Sequence, residues 1–259
     1  METGSGSRAD KGPLEAGGAM DEDEIEDQGL LSEEEEDDSP PIVLDFDAAD
    51  AAAAHQFVII GRFFTVRGYS FMGLFETMNN AWRLNYTPDI KRLRDNRFLI
   101  ELRSDGDKNY VLQGGPWIYR GDPLLVAAYD GKLRPSDVVL NLMPIWIRIE
   151  DMPLNLMNEG TGQILGSNVG KVVVVGKDSK GRFWDDHMRI RVLMSVDKPL
   201  TRWLKVQDEK TGDMLRLHVK YERIPKFCRY CGHVGHVEKD CLLPKKEQKV
   251  RFGLHLRRG

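Results

Sequence analysis

All three cysteines of the 259-residue chain fall within fourteen positions, as Cys228, Cys231 and Cys241, with His236 between the last two. The spacing is Cys-x2-Cys-x4-His-x4-Cys. Three thiolates and one imidazole are soft-to-borderline donors that complete a tetrahedral zinc shell, and a closed shell leaves no position for an activated water. The expectation is one structural Zn2+ held by Cys228, Cys231, His236 and Cys241. Gly232, directly after the second ligand, and Gly235, directly before the histidine, supply the turns that so short a loop needs. A disulfide would leave an odd cysteine, and no secretory signal is read at the start of the chain. A redox Cys-x2-Cys belongs at the end of a strand in a thioredoxin-like unit, whereas Cys228 follows a turn led by Pro225. Unrelated buried or free thiols are the remaining alternative.

The segment from Cys228 to Cys241 resembles the CCHC zinc knuckle of retroviral and retrotransposon Gag proteins. Its lead-in, Lys220-Tyr221-Glu222-Arg223-Ile224-Pro225-Lys226-Phe227, is similar to a plant family in which a domain of unknown function precedes a zinc knuckle. That family comprises Gag-like or LINE-type retroelement proteins and domesticated relatives in host genomes. Further matches are Gly114-Gly115-Pro116-Trp117, Ile145-Trp146-Ile147-Arg148-Ile149 followed by Met152-Pro153-Leu154, and Met188-Arg189-Ile190-Arg191-Val192. The resemblance covers roughly residues 55–241. It implies binding of nucleic acid, with unpaired bases lying against apolar knuckle side chains.

Val237 matches the apolar position after the histidine in that pattern, but the position after the first cysteine holds Arg229 instead of an aromatic. Base stacking would then fall to Tyr230 or Phe227, at about 1–3 kcal/mol per base. Arg229, Lys239, Lys245 and Lys246 are the candidate phosphate contacts, and His233, outside the ligand spacing, is read as exposed or facing the nucleic acid. The expected partner is single-stranded RNA or DNA, bound weakly, with strong salt dependence and low specificity. Self-association is a further expectation; a small-molecule substrate is not.

The charge distribution agrees with such a partner. The formal net charge of −4 conceals a division, because residues 1–56 hold eighteen of the 41 Asp and Glu against Arg8 and Lys11 alone. That stretch carries −16, and the remainder carries +12. Residues 1–55, rich in Gly, Ser, Ala, Asp and Glu, bury too little apolar surface to offset the entropy of ordering and read as a disordered acidic region. The block Glu33–Asp38 extends by self-repulsion, and the region reads as a solvating tail or as a competitor for the basic part. At the other end, residues 243–259 form a basic tail. No apolar run is long enough to span a membrane, so a soluble protein is expected; the expected location is intracellular, in nucleus or cytoplasm.

Positioning the metal site falls to two α+β units. Phe57–Gly61 has strand length; Ser70 caps a helix whose Phe71, Leu74, Phe75, Met78 and Trp82 share one face. A short strand follows at about Ile90–Leu93, and Phe98, Ile100 and Leu102 alternate along the next. Asp107 opens a short helix ended by Gly114, Gly115 and Pro116, and Leu124–Tyr129 is a fourth strand. The βαββαβ order over residues 56–135 is ferredoxin-like, the topology of the RNA-recognition motif (RRM), although Asn96–Leu102 lacks the RNP1 glycine and paired aromatics. Phe98 therefore reads as core.

A second unit, residues 136–224, contributes a strand around Ile145–Ile149, a glycine-interrupted helix between Asn155 and Leu165, a buried strand at Val172–Val175, and alternating strands at Met188–Val196 and Leu215–Tyr221. These strands carry Arg and Lys on their outward positions, a pattern that serves either phosphates or plain solvent. Pro225 separates this unit from the knuckle, residues 225–242. The overall expectation is an α+β protein ending in a zinc knuckle. Gly160–Gly166 lacks the Lys-Ser or Lys-Thr of a phosphate loop, and His187 beside Asp185 and Asp186 lacks a nucleophile, so no enzyme is expected. A protein-interaction adaptor with a purely structural knuckle is the alternative reading.

Overall fold

The computed structural model describes residues 42–43, 56–183 and 186–244; the acidic and basic tails fall almost wholly outside them. The first unit contains β1 (Val58–Phe63), α1 (Phe71–Trp82), β2 (Asp89–Arg92), β3 (Arg97–Glu101), α2 (Asp105–Gly114), β4 (Trp117–Tyr119) and β5 (Asp122–Ala128). Its antiparallel sheet has the order β2-β3-β1-β5-β4. With β4 set aside as a short edge hairpin partner of β5, this is the ferredoxin-like order expected from the sequence. β4 escapes the pattern because three residues after a proline show no period.

The helices follow from their caps. Ser70 accepts from the Gly73 amide, and Leu74, Phe75, Met78 and Trp82 are buried on the face that periodicity assigns to the core. Helix α2 begins two residues before the expected start, because Ser104 caps it through the Asp107 amide at 3.1 Å, with Asp105 and Asp107 favourably placed in its first turn. Both helices cover one face of the sheet, where Ile59, Phe63, Phe98 and Ile100 are buried with them. Phe98 meets the Phe75 ring edge-to-face at 4.9 Å, so it is a core residue.

The second unit contains β6 (Leu142–Glu150), a 3-10 turn at Leu154–Leu156, α3 (Glu159–Ser167), β7 (Lys171–Val175), β8 (His187–Ser195), β9 (Trp203–Gln207) and β10 (Met214–Tyr221). Its sheet order is β7-β8-β6-β10-β9, which repeats the first sheet position for position. What is missing is the second helix: the chain runs from β8 straight to β9. The single helix expected over Asn155–Leu165 divides into the 3-10 turn and α3, since Asn158 caps a new start through the Thr161 amide at 2.9 Å.

The glycines of this stretch serve packing. A Cβ on Gly162 would lie 2.7 Å from Val175 Cγ1, and one on Gly166 would lie 2.7 Å from Val172 Cγ2, so their absence lets α3 sit directly on β7 and β8. Strand β7 itself departs from the expected buried strand. It is the sheet edge, with Val173 53% and Val174 43% exposed, and a register shift between Val172 and Val174 re-aims its side chains. The β8–β6–β10 register buries Ile145, Ile147, Ile149, Met188, Ile190, Val192, Leu217 and Val219, the alternation read from the sequence.

Candidate metal centre and nucleic-acid interface

From Tyr221 the chain leaves β10 and forms a miniature hairpin. Phe227 and Val234 make an antiparallel bridge, Cys228 N–H donates to the His233 carbonyl at 2.9 Å, and Gly232 N–H donates to the Cys228 carbonyl at 2.8 Å. Gly232 at φ +79° closes the Cys-x2-Cys turn, and Gly235 at φ +88° sends the chain back towards His236. A 3-10 turn at Glu238–Asp240 then delivers Cys241.

The donor atoms of Cys228, Cys231, His236 and Cys241 lie within 4.8 Å of one another. A tetrahedral shell with legs of about 2.0–2.3 Å has edges of roughly 3.3–3.8 Å. His236 Nε2 is already 3.3 Å from Cys231 Sγ, so small side-chain rotations close the set on one ion. Burial holds the His236 pKa below the usual value, favouring the neutral ligand form. Burial, reinforced by Cys228 and Cys241, pushes the Cys231 thiol up to about 12. Three thiolates at such a spot need a cationic counter-charge, and the donor set fits zinc.

The knuckle is docked, contrary to the expectation that Pro225 detaches it. Pro225 is buried, Lys226 N–H donates to the Gly121 carbonyl at 2.7 Å, and Leu200 N–H donates to the Gly232 carbonyl at 2.9 Å. Val234 is buried in the core of the second sheet, and Arg67 reaches Asp240 with its Nε at 3.2 Å. His233, expected to be exposed or to face the nucleic acid, is half-buried with Nε2 3.2 Å from the Asp197 carbonyl. The physical reason is apolar: the few hydrophobic side chains of a fourteen-residue loop are better covered by a neighbouring core than left in water.

Docking distributes the predicted nucleic-acid contacts unevenly. Arg229 and Lys239 are exposed, with Arg229 Nε 3.6 Å from Glu238. Tyr230 and Val237 are half-buried, and Phe227 packs against the second core through its bridge to Val234. Lys245 and Lys246 lie outside the described residues. A cleft of about 330 Å³ beside the knuckle is lined by Arg62, Phe64, Asn96 and His233 among others.

On the first sheet, the face opposite the helices is covered by the chain itself. Ile60 and Leu125 are buried there and belong to the core of the second sheet. The Arg97 guanidinium donates to the Pro135 and Val138 carbonyls, both at 2.7 Å, so the loop after β5 is tied across β3.

The three upstream motifs meet at one junction. Gly115 lies against Pro144 of β6, Arg191 of β8 donates to the Gln113 carbonyl and, at 2.9 Å, to the Gly115 carbonyl, and Arg189 stacks 3.8 Å over the Trp146 ring. Gly114 is required because a Cβ there would lie 2.7 Å from the Trp117 ring, whose Nε1 donates to the Val111 carbonyl. Sequence reading missed Trp203 as a functional candidate, because β9 was not recognised. The alternation of Leu204 and Val206 with Lys205 was the available signal.

Residues 51–137 match a family described as a domain of unknown function (DUF4283), and residues 194–243 match a family described as a zinc knuckle. The chain carries a DUF4283 domain followed by a zinc knuckle. The zinc-knuckle match begins in β8 and takes in β9 and β10, the strands on which the metal loop is mounted. No curated protein matches. Among solved structures, the crystal structure of the first two RRM domains of yeast poly(U)-binding protein Pub1 is 8% identical, covering 63% of this chain and 98% of that one, with a TM-score of 0.20. At that score the two arrangements are not equated, and the fold assignment rests on the strand orders. Among the described residues, no helix is long and apolar enough to cross a membrane.

Proposed function

We propose that the chain is a non-catalytic, zinc-dependent protein that binds single-stranded RNA or DNA with low sequence specificity, and that it derives from the Gag-like part of a retroelement and works inside the cell. The observation that carries this reading is the closed donor set of Cys228, Cys231, His236 and Cys241, folded so that Arg229 and Lys239 face solvent on a region whose net charge is +12. A closed set of this kind supports structure, not a bound water. Zinc, when bound, supplies the cross-link that holds the loop; the side chains of the loop do the binding.

Low specificity follows from what the loop leaves available. Arg229 stands where an aromatic would stack, and Phe227 packs inward, which leaves half-buried Tyr230 and Val237 beside phosphate-binding cations. Such a surface gains its affinity mainly from counterion release and incidental stacking. Anisotropy titration of a 20-nucleotide uridine-rich RNA and its DNA counterpart over a salt series, with wild type and Cys231→Ser, tests the proposal. Loss of affinity in Cys231→Ser supports it; equal affinity in both proteins contradicts it.

The adaptor reading draws on the docking itself, since Val234 and Phe227 join the knuckle to a core as a structural staple would. Negligible binding by wild type at low salt selects that reading.

A further inference from the structure

We infer that the exposed face of the second sheet, opposite α3, is a platform on which a single-stranded nucleic acid lies, its bases meeting Trp203 and its phosphates meeting Arg216 and Lys205. This rests on the nucleic-acid reading proposed above and assigns it a surface separate from the knuckle. The first sheet has the same strand order, but its equivalent face is buried by Ile60, Leu125 and the loop tied down by Arg97. The second sheet keeps that face open along β9 and β10.

Cross-strand register puts the relevant side chains on one side. Trp203 is opposite His218, which is opposite Glu150, and Lys205 is opposite Arg216. Lys220 is opposite Arg148, which is opposite Arg189. All of them alternate with the buried Leu204, Leu217, Val219 and Ile149. Trp203 is 44% exposed, its ring centroid is 4.6 Å from that of His218 with 30° between the planes, and the Arg216 guanidinium lies 5.0 Å from its centre. An indole on an edge strand, 44% exposed and already in contact with an imidazole and a guanidinium, accepts a base against its exposed surface at no cost in buried polar groups.

The charge is also complementary. The two carboxylates of this face are occupied: Glu222 by Arg189 and Arg148, and Glu150 by Lys220 and His218. Arg216 and Lys205 have no ion-pair partner among the described residues, so two cations face each other across β9 and β10 beside an aromatic. Phosphate and base together satisfy such a patch; an acidic peptide satisfies only the charge.

The test uses the full chain, zinc-loaded, with a 20-nucleotide uridine-rich RNA as probe. Trp203→Ala is expected to weaken binding roughly fivefold to 100-fold, Trp203→Phe to retain most of it, and bound RNA to quench wild-type indole fluorescence. Arg216→Ala with Lys205→Ala is expected to lower the slope of log affinity against log salt by about 1.4, at roughly 0.7 per phosphate contact on a single strand. Unchanged zinc content and thermal midpoint in each variant show that the fold persists. If wild type binds the RNA while the Trp203 and the Arg216–Lys205 variants bind equally well, the platform is overturned and the knuckle reading stands. If a poly-glutamate peptide binds as tightly as the RNA and Trp203→Ala does not distinguish them, the base-stacking role is overturned. If wild type shows no binding at all, the nucleic-acid reading and the platform fall together.

Discussion

Replacing Gly235 with alanine tests whether the knuckle is docked as the structure places it. Two effects add at this position. Gly235 has φ +88°, where an L side chain is strained by about 1–2 kcal/mol. A new Cβ would also lie 2.6 Å from two atoms of the Phe64 ring, an overlap that forces the ring or the loop to shift at about 1–3 kcal/mol. The sum is about 2–5 kcal/mol, of which the overlap part is lost only if the knuckle stays against Phe64. Gly212→Ala is the matched control, because Gly212 has φ +76° but its Cβ would meet only Gln207 Nε2, at 3.9 Å. Urea unfolding of the zinc-loaded proteins reads both losses, and the excess of Gly235→Ala over Gly212→Ala isolates docking. Adding Phe64→Ala to Gly235→Ala removes the overlap, so the double variant is expected to lose less than the two single losses combined. Equal losses in the two glycine variants, together with strict additivity in the Phe64 cycle, refute the docked arrangement.

Gly162→Val is expected to destabilise by about 1–3 kcal/mol in urea unfolding, because its side chain enters the space of Val175 and Met188 where α3 meets the sheet. Arg191→Met removes the donor to the Gln113 and Gly115 carbonyls and is expected to cost about 1–3 kcal/mol; limited proteolysis should then reach the Gly114–Trp117 loop sooner. Glu222 predicts an acid dependence. Its hydrogen bonds from Arg189 hold its carboxyl below the ordinary value, so its contribution is complete above the unfolded carboxylate range near pH ~4.3 and disappears as pH falls through the lowered folded value. Thermal melts from pH 7 down to pH 3 are expected to fall more steeply for wild type than for Glu222→Gln.

What the chain discloses in advance is governed by period and cap. Ser70 followed by apolar residues at helical spacing, and the Ile145, Ile147, Ile149 alternation, are local signals that survive folding, so α1 and β6 stand where they are read. The four metal ligands are equally local, and the fold brings their donor atoms together. Non-local facts are not written this way. Nothing near Pro225 announces that Val234 will be buried in the second core or that Gly235 will meet Phe64, about 170 positions earlier. The repeated strand order is equally hidden, because the second copy lacks a helix and the two share topology without shared motifs. Edge position defeated the reading of β7: four consecutive valines resemble a buried strand until its place at the sheet margin is known. The Gly114–Trp117, Ile145–Ile149 and Met188–Val192 motifs were visible as words, but their common purpose at one junction appears only in three dimensions.

In the proposed function, zinc held by Cys228, Cys231, His236 and Cys241 organises a surface for single-stranded nucleic acid. The most direct test is one salt-resolved titration of a 20-nucleotide single strand, performed on protein of measured zinc content, with wild type and Cys231→Ser in parallel. About one zinc per wild-type chain is expected, with affinity that falls as salt rises and a clear loss of both metal and affinity in the variant. Wild-type protein that purifies without zinc, or a variant that loses zinc yet keeps full affinity at every salt concentration, contradicts the proposed function.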